Sequence, residues 1–255
     1  MDVNYFLCNP TGNITALVES EVKVELHSKI GEMILAKEPT CEQVGFILPP
    51  ENGSDITLRM AGGEFCGNAT MSVAAFFCKK NGLSDGEEKE VFVRVIGTKE
   101  NVRVFVKKEK GEYYGKVDMP KPRKIYDYKF VFESHNYIYP VVEFESISHV
   151  IIEDDVPVYM PEQCIKYWCD SLKAKALGLM LLNKDKTALR PLVYVKEPES
   201  LTWESSCGSG TTAVAAFLSK KSNNPVSLSL SEPGGILSVE CLEDGTIKLS
   251  GKVEF

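Results

Sequence analysis

The stretch GGEFCGNATMSVAAFFCKK, residues 62–80, decides the fold predicted for this chain. Nearly the same passage recurs at ESSCGSGTTAVAAFLSKK, residues 204–221. When Cys66 is aligned with Cys207, the glycine after each cysteine and the later VAAF and KK groups coincide without a gap. An internal repeat of this kind predicts two copies of one structural unit.

The repeat predicts an N-terminal half over residues 1–121 and a C-terminal half over 122–255, each of ordinary domain size. The prolines of MPKPRK, residues 119–124, favour a link between the halves. GKVD at 115–118 resembles GKVE at 251–254, so the repeat extends downstream of the two cysteine segments. We expect that the final strand of the chain can pack on the N-terminal half.

Hydrophobic patterns predict the same order of elements in each half: strands, a helix, strands, the cysteine helix and closing strands. The first helix is predicted over Val22–Lys37, with Val24, Ile30, Met33 and Ile34 as its apolar stripe, and the corresponding helix of the second half begins near Pro161. We therefore predict an α/β (α+β) fold of two pseudo-symmetric halves. Each is a curved mixed sheet or barrel around a helix that begins at a cysteine.

The composition limits the functional classes. The chain is 44% hydrophobic with a net charge of −7, which disfavours nucleic acid and anionic membranes as partners. No basic flank precedes an apolar run at the N-terminus, and the eight scattered cysteines suit a reducing compartment, so we expect a cytoplasmic protein. There is no CxxC pair and the three histidines are far apart, so a structural zinc site is not expected.

A cysteine immediately before a helix faces unpaired backbone N–H groups and the positive end of the helix dipole, which can lower its pKa. Two such cysteines, one in each half, are expected to face each other across a cleft. One thiolate can then remove a proton from a chiral carbon while the opposing thiol delivers a proton to the other face. This chemistry requires no metal or organic cofactor, and it predicts a small-molecule substrate.

The motifs FCGNAT and SCGSGT resemble the two catalytic cysteine turns of the diaminopimelate epimerase-like superfamily, which contains cofactor-independent amino-acid racemases. Within it, CEQVGFI (41–47), GEFCGNATMS (63–72) and WESSCGSGT (203–211) most resemble the histidine racemases that supply D-histidine for staphylopine-type metallophores. The resemblance spans essentially the whole chain.

The resemblance implies a role for each matching residue. Cys66 and Cys207 match the acid/base pair. Several other positions match groups that contact the substrate: Gly67, Asn68, Gly208 and Ser209 at its α-carboxylate, Glu204 at its α-amino group, and Asn13 and Gln43 elsewhere around it. Glu42 is our candidate for accepting a hydrogen bond from a histidine imidazole, because a carboxylate is a natural acceptor for that N–H.

The departures from diaminopimelate epimerases argue against diaminopimelate as the substrate. Their arginine for the distal carboxylate corresponds here to Ser205, and their two asparagines correspond to positions near Met60 and Ala176. A buried distal carboxylate would lose its charged, bidentate partner.

Alternatives remain open at this point. Asn13, Asn68 and Glu64 are also typical turn residues, Trp203 and His149 also suit a core, and the six other cysteines are interpreted as small core or surface residues. Another enzyme hypothesis is an isomerase of the phenazine-biosynthesis type. The CGHAT turn of that group resembles CGNAT, but the group lacks the second cysteine. A third hypothesis is a non-enzymatic thiol redox switch. The sequence also leaves a homodimer open as the assembly state.

Overall fold

The computed structural model describes residues 3–197 and 199–255, which form two compact units. The first unit extends to Asp118 and includes Leu249–Phe255, and the second runs from Met119 to Lys248. From the sequence, the boundary between the halves was expected at 121/122. The C-terminal segment belongs to the first unit.

The helices and strands follow one another in the predicted order. The helices are α1 (His27–Lys37), α2 (Gly67–Lys80), α3 (Met160–Ser171) and α4 (Gly208–Ser222). The strands are β1 (Tyr5–Pro10), β2 (Thr15–Val18), β3 (Gln43–Leu48), β4 (Ile56–Met60), β5 (Glu88–Val95), β6 (Val102–Glu109), β7 (Glu112–Met119), β8 (Lys124–Phe132), β9 (His135–Glu143), β10 (Ser148–Ile152), β11 (Ala176–Leu182), β12 (Leu189–Val195), β13 (Ser200–Trp203), β14 (Val226–Glu232), β15 (Gly235–Cys241) and β16 (Ile247–Glu254).

The first unit is a mixed sheet that closes on itself. Its strand order is β1-β2-β3-β4-β5-β6-β7-β16, and β1 also pairs with β16. The pairs β2–β3 and β4–β5 are parallel, whereas β1–β2, β3–β4, β5–β6 and β6–β7 are antiparallel. Closure leaves no open sheet edge among these strands.

The cysteine helix α2 packs against β1, β4, β5 and β6 of this closed sheet. Met71, Ala74 and Ala75 have no exposed surface, so the helix is buried over most of its length. A Cβ atom at Gly115 of β7 would lie 2.8 Å from the Cβ of Met71. Glycine at this position therefore lets the strand approach the helix closely.

Helix α1 is shorter than the sequence predicts. It begins at His27, after a 3₁₀ turn over Val24–Leu26, and not at Val22. Nothing in that turn is buried, whereas the His27 ring stacks on Phe46 with centroids 3.7 Å apart. Ile30 and Ile34 of the predicted stripe are buried, but Val24 and Met33 are about half exposed. Tertiary packing therefore fixes the start of the α-helix at the first residue that reaches the core.

The second unit contains a six-stranded sheet with the order β13-β12-β11-β10-β9-β8, in which β10 and β11 are parallel. Helix α3 covers one face, where Val150 and Ile152 pack in the cluster that contains Trp168. Helix α4 covers the other, where Ile151 packs in the cluster that contains Cys207. The hairpin β14–β15 also packs on α4.

Two strands of this unit were not predicted from the sequence. Strand β8 begins at Lys124, within the segment assigned to the link, and β13 is a four-residue strand before the second cysteine turn. Both are edge strands of the sheet, and charged or polar residues interrupt their apolar pattern.

Among the described residues, no helix is both long and apolar enough to cross a membrane.

Candidate active site

Cys66 and Cys207 occupy the same local position in their units. Each is the N-cap residue of its helix, with extended φ/ψ values of −129°/116° and −126°/96°. Each sulfur accepts a hydrogen bond from the backbone N–H three residues later, Ala69 or Gly210, at 3.4 Å. The duplicated sequence therefore folds into duplicated geometry, with both sulfurs at the positive end of a helix dipole.

The predicted binding residues of the first unit form one hydrogen-bonded group. Asn13 donates through Nδ2 to Glu42 Oε2 at 2.5 Å, and its Oδ1 accepts from Gln43 Nε2 at 2.5 Å and from Asn68 Nδ2 at 3.3 Å. Gln43 also donates to the Thr15 hydroxyl at 2.8 Å. Asn13 and Asn68 are buried, while Glu42 and Gln43 are partly exposed. This arrangement fixes the orientation of the Glu42 carboxylate.

The predicted residues of the second unit gather around Cys207. Its sulfur lies 3.6 Å from the Ser209 hydroxyl, and the Glu204 side chain is hydrogen-bonded to the thiol. Gly208 and Ser209 are the first two residues of α4, where backbone N–H groups have no carbonyl partner within the helix. Gly67 and Asn68 hold the same positions in α2.

The Cys207 thiol does not follow the expectation of a lowered pKa. Burial raises its pKa well above the ordinary value, and the Glu204 and Glu232 carboxylates raise it further, while the Ser209 hydroxyl lowers it. Only 4% of Cys207 is exposed, so desolvation of the thiolate and two nearby carboxylates outweigh the helix dipole. Burial and the two carboxylates therefore favour the thiol form of Cys207, whereas Cys66 lies in a more exposed turn.

His149 lies on β10 behind Ser209. Its Nε2 is 3.0 Å from the Ser209 hydroxyl, and burial lowers its pKa to about 3, so the imidazole is neutral at physiological pH. Its Nδ1 is buried without a hydrogen-bond partner. A Cβ at Gly178 would overlap this ring, which explains the glycine on the neighbouring strand.

The sequence did not indicate Glu232, which is only 5% exposed at the end of β14. Its Oε2 accepts a hydrogen bond from the Cys207 backbone N–H at 2.7 Å, and its Oε1 accepts from the Thr211 hydroxyl at 2.5 Å. The sequence did contain a signal for Glu232. Apolar and polar residues alternate along this strand, and Glu232, just before the PGG turn, occupies a position where the alternation predicts an apolar residue.

The structure also shows the surroundings of the other residues named from the sequence. Trp203 donates from Nε1 to Glu162 at 2.7 Å and stacks under the Arg190 guanidinium, and Glu64 is exposed. The remaining cysteines, namely Cys8, Cys41, Cys78, Cys164, Cys169 and Cys241, are all buried. Within the described ranges, no group of three or more His, Cys, Asp or Glu residues could hold a metal ion.

The family model for the N-terminal domain of the histidine racemase CntK matches residues 2–254. The chain belongs to the histidine racemase family. It is 32% identical to the histidine racemase of Staphylococcus aureus, over 91% of this chain and 85% of that protein. It is 31% identical to the histidine racemase of Fusobacterium nucleatum subsp. nucleatum, over 99% of this chain and 94% of that protein.

Solved structures show the same fold. A predicted epimerase from Pseudomonas aeruginosa superposes with a TM-score of 0.72 at 14% identity, covering 99% of this chain and 96% of that one. A probable proline racemase from Agrobacterium radiobacter superposes with a TM-score of 0.71 at 12% identity, covering 99% of this chain and 91% of that one. The predicted diaminopimelate epimerase-like fold is confirmed. This member of the histidine racemase family is an isomerase, an amino-acid racemase that acts on a small-molecule amino acid.

Proposed function

We propose that the protein interconverts L- and D-histidine by two-base proton transfer between Cys66 and Cys207. The observation that carries the proposal is the shared N-cap geometry of the two cysteines, each with its sulfur 3.4 Å from the third following backbone nitrogen. Histidine as the substrate is supported by the names of the curated relatives.

The reaction balances without an added reactant. A thiolate takes the α-proton as the Cα–H bond breaks, and the electron pair delocalises into the carboxylate. The other cysteine then gives its proton to the opposite face of Cα and becomes a thiolate. The amino acid has gained and lost one proton, and the two cysteines have exchanged protonation states. The step calls for neither a metal nor an organic cofactor.

The state of Cys207 suggests the resting assignment. Because burial and two carboxylates keep Cys207 a thiol, we assign it as the proton donor in the resting enzyme and Cys66 as the base. After one turnover the assignment is reversed. The pair titrates as one coupled system, so pH profiles report on the pair and not on either residue alone.

The remaining residues are assigned to parts of the substrate. The first N–H groups of the two helices, at Gly67 and Asn68 and at Gly208 and Ser209, would hold the α-carboxylate and stabilise the charge that develops on it. Glu204 would accept from the α-ammonium group.

Glu42 would accept a hydrogen bond from the imidazole N–H. Its orientation is set by the 2.5 Å bond from Asn13, which Gln43 in turn orients. A carboxylate held by neutral amides keeps lone pairs for the substrate.

We further propose that the enzyme acts in the cytoplasm and that D-histidine feeds a staphylopine-type metallophore. These two statements rest on the family resemblance and on the eight cysteines, all of which are free thiols in this structure. Neither affects the chemistry at the two cysteines.

The deciding experiment follows the α-proton of L-histidine by proton NMR in D₂O with reduced enzyme. Loss of this signal together with decay of optical rotation is expected for the wild type and not for Cys66→Ala or Cys207→Ala. Cys78→Ala, which removes a buried thiol within α2, is the matched control and should keep activity. If histidine stays protonated while another amino acid exchanges, the substrate assignment is wrong. If no amino acid exchanges, racemisation itself is refuted for this chain.

A further inference from the structure

Glu232 links the end of β14 to the first turn of α4. It accepts hydrogen bonds from the N–H of Cys207 at 2.7 Å and from the hydroxyl of Thr211 at 2.5 Å. Both carboxylate oxygens are therefore used by the helix that carries the cysteine, and neither bond depends on a substrate. A buried carboxylate is costly unless such bonds compensate its lost hydration.

We propose that Glu232 is a positioning residue that fixes the Cys207 turn and that its negative charge adds to burial in keeping the Cys207 thiol protonated in the resting enzyme. This inference rests on the proposed function, because it explains why Cys207 would be the resting proton donor. It also makes a statement about Cys207 that can be tested without any substrate.

The charges around Cys207 support this role. Glu204 contacts it from the loop before α4, Glu232 from β14, Ser209 from α4 itself, and His149 reaches it from β10 through Ser209. His149 is neutral because burial lowers its pKa to about 3. Of these groups, two carry negative charge when ionised and none carries positive charge, so their combined effect disfavours a thiolate.

Glu232 and Glu204 act differently once a substrate is present. We assign Glu204 to the α-ammonium group of the substrate, whose positive charge would offset the negative charge of Glu204. Glu232 is bonded to the protein's own N–H and hydroxyl groups, so both of its oxygens are already occupied when a substrate binds. Its pKa is raised to about 7, chiefly by burial, so the charge is present above neutral pH and is lost below it.

The test compares wild type and Glu232→Gln in the reactivity of Cys207 towards methyl methanethiosulfonate, resolved by peptide mass spectrometry. Glutamine can accept the Cys207 N–H bond and donate to Thr211, so it keeps both contacts and removes only the charge. Removing the negative charge lowers the pKa of Cys207, so the thiolate becomes more abundant, while its nucleophilicity falls by a smaller factor. Cys207 should then react about threefold faster at about pH 9.

The pH dependence distinguishes charge from a merely structural effect. Because Glu232 is neutral below its pKa of about 7, the two proteins should react alike in moderately acidic solution and diverge above neutrality. Glu243→Gln, which removes an exposed carboxylate of the same unit, should match wild type throughout. Equal Cys207 reactivity in Glu232→Gln and wild type at about pH 9 would overturn the proposal.

A second variant keeps the test decisive if Glu232→Gln does not fold. Thr211→Val removes a hydrogen bond that lowers the pKa of Glu232, so the suppression of Cys207 reactivity should begin at higher pH than in wild type. An unchanged onset would contradict the role of Glu232.

With an active substrate, Glu232→Gln should move the upper limb of the kcat/KM profile to lower pH. Failure of histidine to react would refute the proposed function but leave the Cys207 result intact, so the two failures are distinguishable.

Discussion

His149 Nε2 lies 3.0 Å from the hydroxyl of Ser209, whose oxygen is 3.6 Å from the Cys207 sulfur. The imidazole has no exposed surface, and burial alone accounts for its lowered pKa. It therefore acts as a neutral hydrogen-bonding group that orients Ser209, and it contributes no positive charge to stabilise a thiolate.

We predict that the His149 imidazole remains neutral as the pH is lowered to about 4. Its ring resonances should show no titration between about pH 5 and 8 in proton–nitrogen NMR spectra. His149→Gln, which assigns the resonance, also retains a group that can bond Ser209. A chemical-shift midpoint near pH 6.5 would show that the ring is solvated or paired with an anion.

We predict that Glu42→Gln raises KM for histidine about tenfold while kcat changes by less than about threefold, because a charge-assisted hydrogen bond to the imidazole is weakened. Steady-state racemisation measured by circular dichroism gives both constants. Glu21→Gln, at an exposed position of the same unit, should leave KM unchanged. If Glu42→Gln lowered kcat and left KM intact, the residue would belong to the reacting centre and not to the side-chain pocket.

Gly210 is predicted to resist substitution because of what surrounds it. A Cβ there would overlap the Met180 sulfur and lie 3.1 Å from the Cys207 sulfur. Gly210→Ala should therefore reduce the free energy of unfolding by about 1–3 kcal/mol, as for other overpacked sites, although alanine favours helices. Thermal or urea unfolding measures the change.

Two comparisons control the Gly210 result. The equivalent residue in the other unit is Ala69, which is buried and already carries a Cβ, so Ala69→Gly should cost only about 1 kcal/mol. Combining Gly210→Ala with Met180→Ala should cost less than the sum of the single changes, because the cavity and the extra methyl group compensate each other. Strict additivity would show that Met180 is not the obstacle.

Glu232 should make the protein less stable as the pH rises towards neutrality. Its pKa is raised from 4.5 to about 7, chiefly by burial, so the folded state binds its proton more tightly than the unfolded state does. This contribution to stability is complete below about pH 4.5 and is lost as the pH rises through about 7, an amount of about 3 kcal/mol.

Urea unfolding of wild type and Glu232→Gln across this pH range measures that contribution. The difference between the two free energies of unfolding should change most between about pH 5 and 7. A difference that does not change with pH would show that Glu232 stays ionised in the folded protein over this range. Its hydrogen bonds would then stabilise the carboxylate more than burial destabilises it.

The sequence by itself determined the repeat, the two cysteine turns and their helices, because the VAAF pattern, the glycines and the N-cap position are local features that recur. It also indicated side chains that lie together within each unit: Asn13, Glu42 and Gln43 in the first, and Glu204 and Ser209 beside Cys207 in the second. Local pattern failed at the edge strand β8 and at the start of α1, where packing against the core decides the boundary.

Only the tertiary structure decided the electrostatics at Cys207. A helix N-terminus favours an anion, and from the sequence a lowered pKa was expected. The fold instead buries the thiol and brings Glu232, which lies 25 residues further along the chain, to within 2.7 Å of its backbone nitrogen. Burial and the charge of a distant residue depend on how strands pack around a helix, and local sequence does not encode that arrangement.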